Sequence, residues 1–334
     1  MSGWPIYTGI REPHDGIEDL PAPPNWRAFD GGPPIDRDSV GDLESDLSTA
    51  RRLGADNRRV PSALEVQMIN AALYLRRPLL VTGDPGVGKS TLAYAVAREL
   101  KLGPVLRWPI TSRSTLGEGL YHYDPIGRLR EENLRKVRGE PLSAEKDDIG
   151  RHIRLGSLGT ALLPYRTPRV LIVDEIDKSD IDLPNDLLNV FEEGEYEIDE
   201  LTRLPDEVDV VEVMTADQGV ARVRRGVVRC RAFPFVVLTS NGEREFPPAF
   251  LRRCLRLDIQ APDDLQLSAI LAAHLGAAAA AEANERVREF IAKRDQGITL
   301  TTDQLLNAVY LATSGGSDQS LEDVVSAVMR PLTR

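Results

Sequence analysis

Two cysteines in 334 residues, Cys230 and Cys254, exclude a disulfide framework and leave too few thiols for a cysteine zinc site. Both are expected to be small, buried or semi-buried apolar fillers. The four histidines, His14, His122, His152 and His274, are scattered without metal-ligand spacing. No apolar run reaches 18 residues, and Met1-Ser2-Gly3-Trp4-Pro5 lacks the charged and apolar parts of a signal peptide. A cytoplasmic protein without a membrane segment is therefore expected. Basic residues are outnumbered, 41 Lys and Arg against 52 Asp and Glu, for a net charge of -11. That disfavours a broad nucleic-acid footprint but leaves room for a local basic patch.

What the chain does carry is organised around Leu79 to Thr91. The apolar run Leu79-Leu80-Val81-Thr82 leads into Gly83-Asp84-Pro85-Gly86-Val87-Gly88-Lys89-Ser90-Thr91, after which Leu92, Val96 and Leu100 recur at helical spacing. Strand, loop and helix follow one another. The loop reads G-x-x-x-x-G-K-S, whose glycines let successive N–H groups curl toward a phosphate chain seated on a helix N-terminus. Lys89 supplies a cation for the β and γ phosphates, and Ser90 a hydroxyl ligand for Mg²⁺. About 85 residues downstream, after Arg169, Val170-Leu171-Ile172-Val173 is a continuous apolar run, as in a strand buried on both faces, and it ends in Asp174-Glu175. Asp174 can join the Mg²⁺ shell, and Glu175 can orient or deprotonate an attacking water. Together the two stretches are a strong signal for an ATPase.

Length predicts two packed units rather than one. Residues 1–57 are rich in proline, glycine and acids yet hold Trp4, Tyr7, Trp26 and Phe29. Linkers are poor in aromatics, so an extended arm docked on its own or a neighbouring subunit is expected. From Val60 to Leu75 the spacing predicts a helix with Ser62 and Glu65 as a capping box and Leu64, Met68, Ala71 and Leu75 on one face. Val105 to Ile110 reads as the next strand. The nearly 60 residues at 111–167 are too long for a simple α/β connection and form an insertion with its own structure. Within it, Leu120 to Asp124 precedes a charged helix-like stretch to Arg138 and then Glu145-Lys146-Asp147-Asp148.

Pro184, Leu187, Leu188 and Phe191 mark a helix that Gly194 can end. Residues 195–232 are β-rich, and Arg225-Gly226 can turn a hairpin. Phe233 to Asn241 and Leu255 to Ile259 read as two further core strands. Past Pro262 helical spacing persists, predicting an all-α unit over 262–334 with a capping box at Thr301 and Gln304 and an alanine helix or linker at Ala277 to Ala281.

With these elements placed, residues 60–330 resemble the AAA+ ATPases, and within them the MoxR-like branch. The implied fold is α/β, a parallel-sheet P-loop core over 58–261 with inserts at 111–167 and 195–232, followed by a small α-helical lid. Gly83 to Ser90 matches the Walker A loop and Val170 to Glu175 matches Walker B. Asn241 matches the polar sensor that helps place the attacking water. Phe250-Leu251-Arg252-Arg253-Cys254 falls where the family keeps its arginine finger, with Arg253 the better match and Arg252 second. The resemblance implies that this arginine reaches the γ-phosphate of the neighbouring subunit, in a homo-oligomeric ring that is usually a hexamer. One departure is that Thr301-Thr302-Asp303-Gln304 has no arginine where family lids often carry one. Either Arg294 reaches the nucleotide instead or the lid senses ATP weakly.

Arg222, Arg224, Arg225, Arg229 and Arg231 admit two readings. They form a basic hairpin surface for an acidic polypeptide or a nucleic-acid backbone, or a solvated strand face paired with the acids of 195–217. The resemblance implies a remodeller of a client protein, often one with a von Willebrand factor A domain. A nucleic-acid motor and a slow nucleotide-controlled assembly switch are the competing classes.

Overall fold

Three continuous apolar runs become the centre of a parallel five-stranded sheet. The computed structural model describes residues 4–10, 12–36, 61–138, 149–296, 298, 300–314, 324 and 327–329. Its elements, in chain order, begin with α1 (Ala63–Leu75), β1 (Leu79–Thr82), α2 (Lys89–Glu99) and β2 (Leu106–Pro109). Next come α3 (Leu116–Leu120), β3 (Tyr121–Tyr123), α4 (Pro125–Arg138), β4 (Ile153–Leu155), α5 (Ser157–Ala161) and β5 (Val170–Asp174). They are followed by α6 (Leu183–Glu193), β6 (Glu195–Glu197), α7 (Asp199–Thr202), β7 (Val210–Met214), β8 (Val220–Arg224) and β9 (Val227–Arg229). The chain continues through β10 (Phe235–Ser240), α8 (Pro248–Arg253) and β11 (Leu255–Asp258) into α9 (Asp264–Leu275), α10 (Ala277–Glu282), α11 (Asn284–Asp295) and α12 (Thr302–Ser314).

The core sheet has the order β11-β1-β10-β5-β2, and every pairing in it is parallel. β5 and β10 are buried at every position, as expected for strands covered on both faces. Because all five run the same way, the carboxyl ends of β1, β5 and β10 share one edge, where ligands bind in open α/β sheets. One face packs α1 and α2 through Ile69, Leu73, Leu92 and Val96, while the other packs the inserted segments. Leu267, Phe290 and Leu305 centre a separate helical cluster.

The two inserted stretches are not separate. β3, β4, β7, β8, β9 and β6 form one six-stranded sheet, joined where Arg154 of β4 pairs with Met214 of β7. The hairpin at Arg225-Gly226 forms as expected, linking β8 to β9. The arm packs on its own core. Ile6, Tyr7 and Ile17 are buried beside α1 and α2, and Phe29 stacks on Phe233 at 5.5 Å. Asn70 on α1 holds it, accepting from Ile6 N at 2.7 Å and Tyr7 N at 2.9 Å and donating to Tyr7 O at 2.7 Å. Trp26 stays exposed.

This docking corrects the expected face of α1. Leu64 and Leu75 are exposed, and the buried face is Glu65, Ile69, Asn70, Ala72 and Leu73. The helix lies between sheet and arm, so the arm selects a face that periodicity alone does not. Its capping box is present, with Glu65 N donating to Ser62 Oγ at 3.2 Å. The Thr301–Gln304 box is present too. Cys230 and Cys254 are buried and free, and burial pushes both thiols up to about 12. Glu145-Lys146-Asp147-Asp148, residues 37–57 of the arm and most of the chain beyond Ser314 lie outside the described residues.

Candidate nucleotide-binding site

At the carboxyl edge of β1 the chain must turn tightly and keep its amides free, and two glycines show why. Gly83 has φ 143°, and a Cβ there would stand 2.4 Å from Ile259 O; Gly86 has φ 80°, and its Cβ would stand 2.9 Å from Thr301 Cβ. The loop feeds α2, whose first residue is Lys89. The Lys89 Nζ donates to Gly83 O at 2.7 Å, Asp84 O at 2.9 Å and Asn241 Oδ1 at 2.7 Å. Burial pulls its pKa below the ordinary lysine value, against the nearby charges of Asp177, Asp84, Asp174 and Glu175. Lys89, expected from the loop motif, and Asn241, expected from the resemblance, are thus in direct contact.

Ser90 Oγ donates to Asp174 Oδ1 at 2.9 Å, which brings the two residues expected to hold Mg²⁺ side by side. A hydroxyl beside a carboxylate suits that hard cation, which takes one or two protein ligands and completes its shell with phosphate and water. Burial acts to raise the Asp174 pKa, but hydrogen bonds from Arg107, Thr239 and Ser90 together outweigh it and hold the carboxyl below its ordinary value. Glu175 lies in the left-handed region, φ 61° and ψ 51°, a conformation that costs of order 1–3 kcal/mol outside glycine. Its N–H donates to Thr239 Oγ1 at 2.8 Å, and its Oε2 accepts from Lys178 Nζ at 2.8 Å.

Three contributors were not singled out by sequence. Arg107, on β2, clasps Asp174 Oδ2 through Nε at 3.1 Å and Nη2 at 2.6 Å. Thr239 donates to Asp174 Oδ1 at 2.7 Å while holding Glu175 N. Asp177 is buried and accepts from Asn241 N at 2.8 Å and Glu243 N at 3.2 Å, fixing the loop that carries Asn241. Thr239 and Asp177 did leave a signal, as polar residues inside or just beyond buried apolar runs. Arg107 left none, because its partner is 67 positions away.

Pro85 to Thr91, Asp174, Glu175, Thr239 and Asn241 line a cleft of about 530 Å³, closed on the other side by Ala273, His274 and Thr301 to Asp303. Arg294 borders a smaller cavity beside Asp84, Pro85 and Val87 and donates to Pro262 O at 2.7 Å. Neither Arg252 nor Arg253 lines the cleft of its own chain. Arg253 Nε pairs with Glu192 Oε1 at 2.9 Å, and Arg252 Nε donates to Pro248 O at 3.2 Å. A larger cleft of about 1040 Å³ lies between Asp30–Ile35 of the arm and the β7–β9 hairpins, and no residue of the glycine loop after β1 lines it.

Four of the five hairpin arginines are paired. Arg222 meets Glu212 at 3.6 Å, Arg224 and Arg225 meet Asp209 at 2.7 and 2.9 Å, and Arg229 meets Asp30 at 3.0 Å as well as Glu195. The reading of a solvated strand face paired with the acids of 195–217 therefore describes these four, with Asp30 of the arm added.

A parallel sheet with a glycine loop at β1 and a carboxylate pair at the end of β5 defines an α/β protein of the P-loop nucleotide-binding class. The profile of the AAA domain, dynein-related subfamily, matches residues 78–254, just over half of the chain. The chain belongs to this AAA family, an α/β ATPase family whose core is followed here by helices. No curated protein matches it in sequence. Among solved structures it is similar to C. elegans PCH-2, at 12% identity over 85% of this chain and 71% of that one, with a TM-score of 0.42. Among the described residues no helix is long and apolar enough to cross a membrane.

Proposed function

We propose that this chain binds and hydrolyses ATP in the cleft at the ends of β1, β5 and β10, and spends the cycle on remodelling a partner protein. The observation that carries the reading is convergence: Lys89, Ser90, Asp174, Glu175 and Asn241 come from three segments 152 positions apart at the extremes, yet line one cleft. Loop amides and Lys89 receive the phosphates. Ser90 and Asp174 would hold Mg²⁺, which when bound offsets phosphate charge. Glu175 orients a water or takes its proton as the water oxygen bonds to the γ-phosphorus and the bond to the β–γ bridging oxygen breaks. Asn241, fixed by Asp177 and bonded to Lys89, stands where it can align that water.

Arg253, or Arg252 beside it, is the finger in this reading. Both lie outside their own cleft, which fits an arginine offered to a neighbour in a ring. Such a finger contributes about 10³–10⁵ in rate. The union of both inserts in one sheet supports the MoxR-like branch and the division into arm 1–57, core 58–261 and lid 262–334. The pairing of the hairpin arginines favours a protein client, of which a von Willebrand factor A domain is one class, over a nucleic-acid track.

The test mixes two inactive variants. Arg253→Ala and Lys89→Ala subunits each fail alone, and co-assembled mixtures regain part of the turnover because intact cradles meet intact fingers. Mixtures shown to co-assemble that stay inactive count against a shared site. Turnover stimulated by DNA but by no protein would select the motor reading, and slow turnover indifferent to both would select the switch.

A further inference from the structure

An amphipathic helix on a globular protein turns its apolar stripe to the core. α4 does the reverse. Ile126, Leu129, Leu134 and Val137 are 63, 59, 55 and 87% exposed, and none of the helix's residues is fully buried. At about 100° per residue these four fall within an arc of about 140°. Glu131, Arg128 and Arg135 occupy the opposite side and face the protein. Glu131 Oε2 meets His152 Nε2 at 3.3 Å and also takes Arg135, while Arg128 Nη1 donates to Tyr123 OH at 3.4 Å. The charged side is thus the anchored one, and the apolar side is presented.

The stripe is a ridge about 16 Å long from Ile126 to Val137, three turns of helix. Arg130 stands within that arc, and Lys136 and Arg138 border it. Arg130, Lys136 and Arg138 are exposed and form no ion pair among the described residues, in contrast to the hairpin arginines, whose charge is met by Asp209, Glu212, Glu195 and Asp30. On a chain of net charge -11 this is a local reversal of sign bound to an apolar ridge.

We propose that the outward face of α4 is a docking site for an acidic amphipathic helix of a partner protein, whose apolar residues pack on Ile126, Leu129, Leu134 and Val137 while its carboxylates meet Arg130, Lys136 and Arg138. Helix-on-ridge recognition uses anchors at i, i+3 or i+4, and i+7, the spacing such a ridge accepts. A second copy of α4 is disfavoured, since both faces would bring cations together. An anionic bilayer is disfavoured by the acidic body behind the helix and by the lack of Trp, Tyr or Phe in the stripe. The proposal does not rest on hydrolysis, because binding is read without turnover.

The probe is a fluorescent synthetic helix with leucines along one face and glutamates flanking them, titrated into the full chain and followed by anisotropy. Saturable binding is expected, weakened at least about tenfold by Leu129→Asp with Val137→Asp, with melting temperature and ATP affinity unchanged. Arg130→Glu with Lys136→Glu should also weaken it about tenfold and transfer preference to a lysine-flanked version of the peptide. Equal binding of a scrambled peptide of the same composition, or full binding by the aspartate variant, overturns the proposal. So does binding of phosphatidylserine vesicles, or concentration-dependent self-association, that the same substitutions abolish while the acidic peptide goes unbound.

Discussion

Replacing Thr239 with valine keeps the volume of a buried side chain and removes one hydroxyl, which makes it a sharp probe of how the site is held. That hydroxyl accepts from Glu175 N at 2.8 Å and donates to Asp174 Oδ1 at 2.7 Å. Without it the Glu175 N–H lacks its acceptor, at about 1–3 kcal/mol, and a bond to a charged group is lost, at about 1.5–3 kcal/mol. Ser90 and Arg107 still serve Asp174, so the combined loss is set at about 2–4 kcal/mol. At roughly 2–4 °C per kcal/mol for a domain of this size, Thr239→Val should melt about 4–16 °C lower. The catalytic consequence is larger than the thermal one. Glu175 sits in a left-handed conformation that this bond helps to hold, and a displacement of about 1 Å at such a site can cost about 10²-fold in rate. Turnover should therefore fall about 100-fold while ATP affinity, set by Lys89 and the loop amides, stays within about twofold. Thr239→Ser should restore both properties. A valine variant that melts and turns over like the parent would refute the tether. A serine variant as impaired as valine would show that the methyl group, not the hydroxyl, carries the effect.

Lys89→Ala should weaken ATP binding by at least about tenfold in a calorimetric titration, since the phosphates lose a charged donor. Glu175→Gln should bind ATP with near-parental affinity yet hydrolyse it hardly at all, and normal turnover would assign the base elsewhere. Asp217→Ala should cost about 3–5 kcal/mol at neutral pH, because Arg169, 2% exposed and 2.9 Å from Asp217, is left with a buried uncompensated charge; denaturant titration reads this directly. Burial acts to raise the Asp217 pKa, but the Thr215 hydrogen bond and the Arg169 charge outweigh it and leave it below the ordinary value. A depressed folded-state pKa gives stability that is complete above the unfolded value near 3.9 and is lost as pH falls through the folded one. The parent's melting temperature should accordingly decline below about pH 4, with a shallower slope in Asp217→Ala.

The cradle was legible because its chemistry is local. Gly83, Gly86, Lys89 and Ser90 sit within eight positions, and the strand and helix on either side have their own periodicities. The carboxylate pair was legible for the same reason, at the end of an apolar run. The α1 face was not, since Asn70 and Ile69 are buried by an arm more than 60 positions away. Arg107 gave no sign of itself, because an arginine on a strand acquires a role only when β2 is laid beside β5. Periodicity marks the stripe on α4 but, read by the usual rule, would turn it inward.

By itself the sequence determined the P-loop α/β class, the order of the core strands along the chain and the residues proposed to hold a nucleotide, because strand runs, tight glycine turns and caps are decided by neighbours in the chain. Only the tertiary structure decided the pairing order β11-β1-β10-β5-β2, the single sheet made from two distant inserts, the clasp of Arg107 and Thr239 on Asp174, and the outward turn of α4. Each of these depends on which surfaces compete for the same burial and the same hydrogen-bond partners. That competition is settled between segments far apart in the chain, where no local pattern records the outcome.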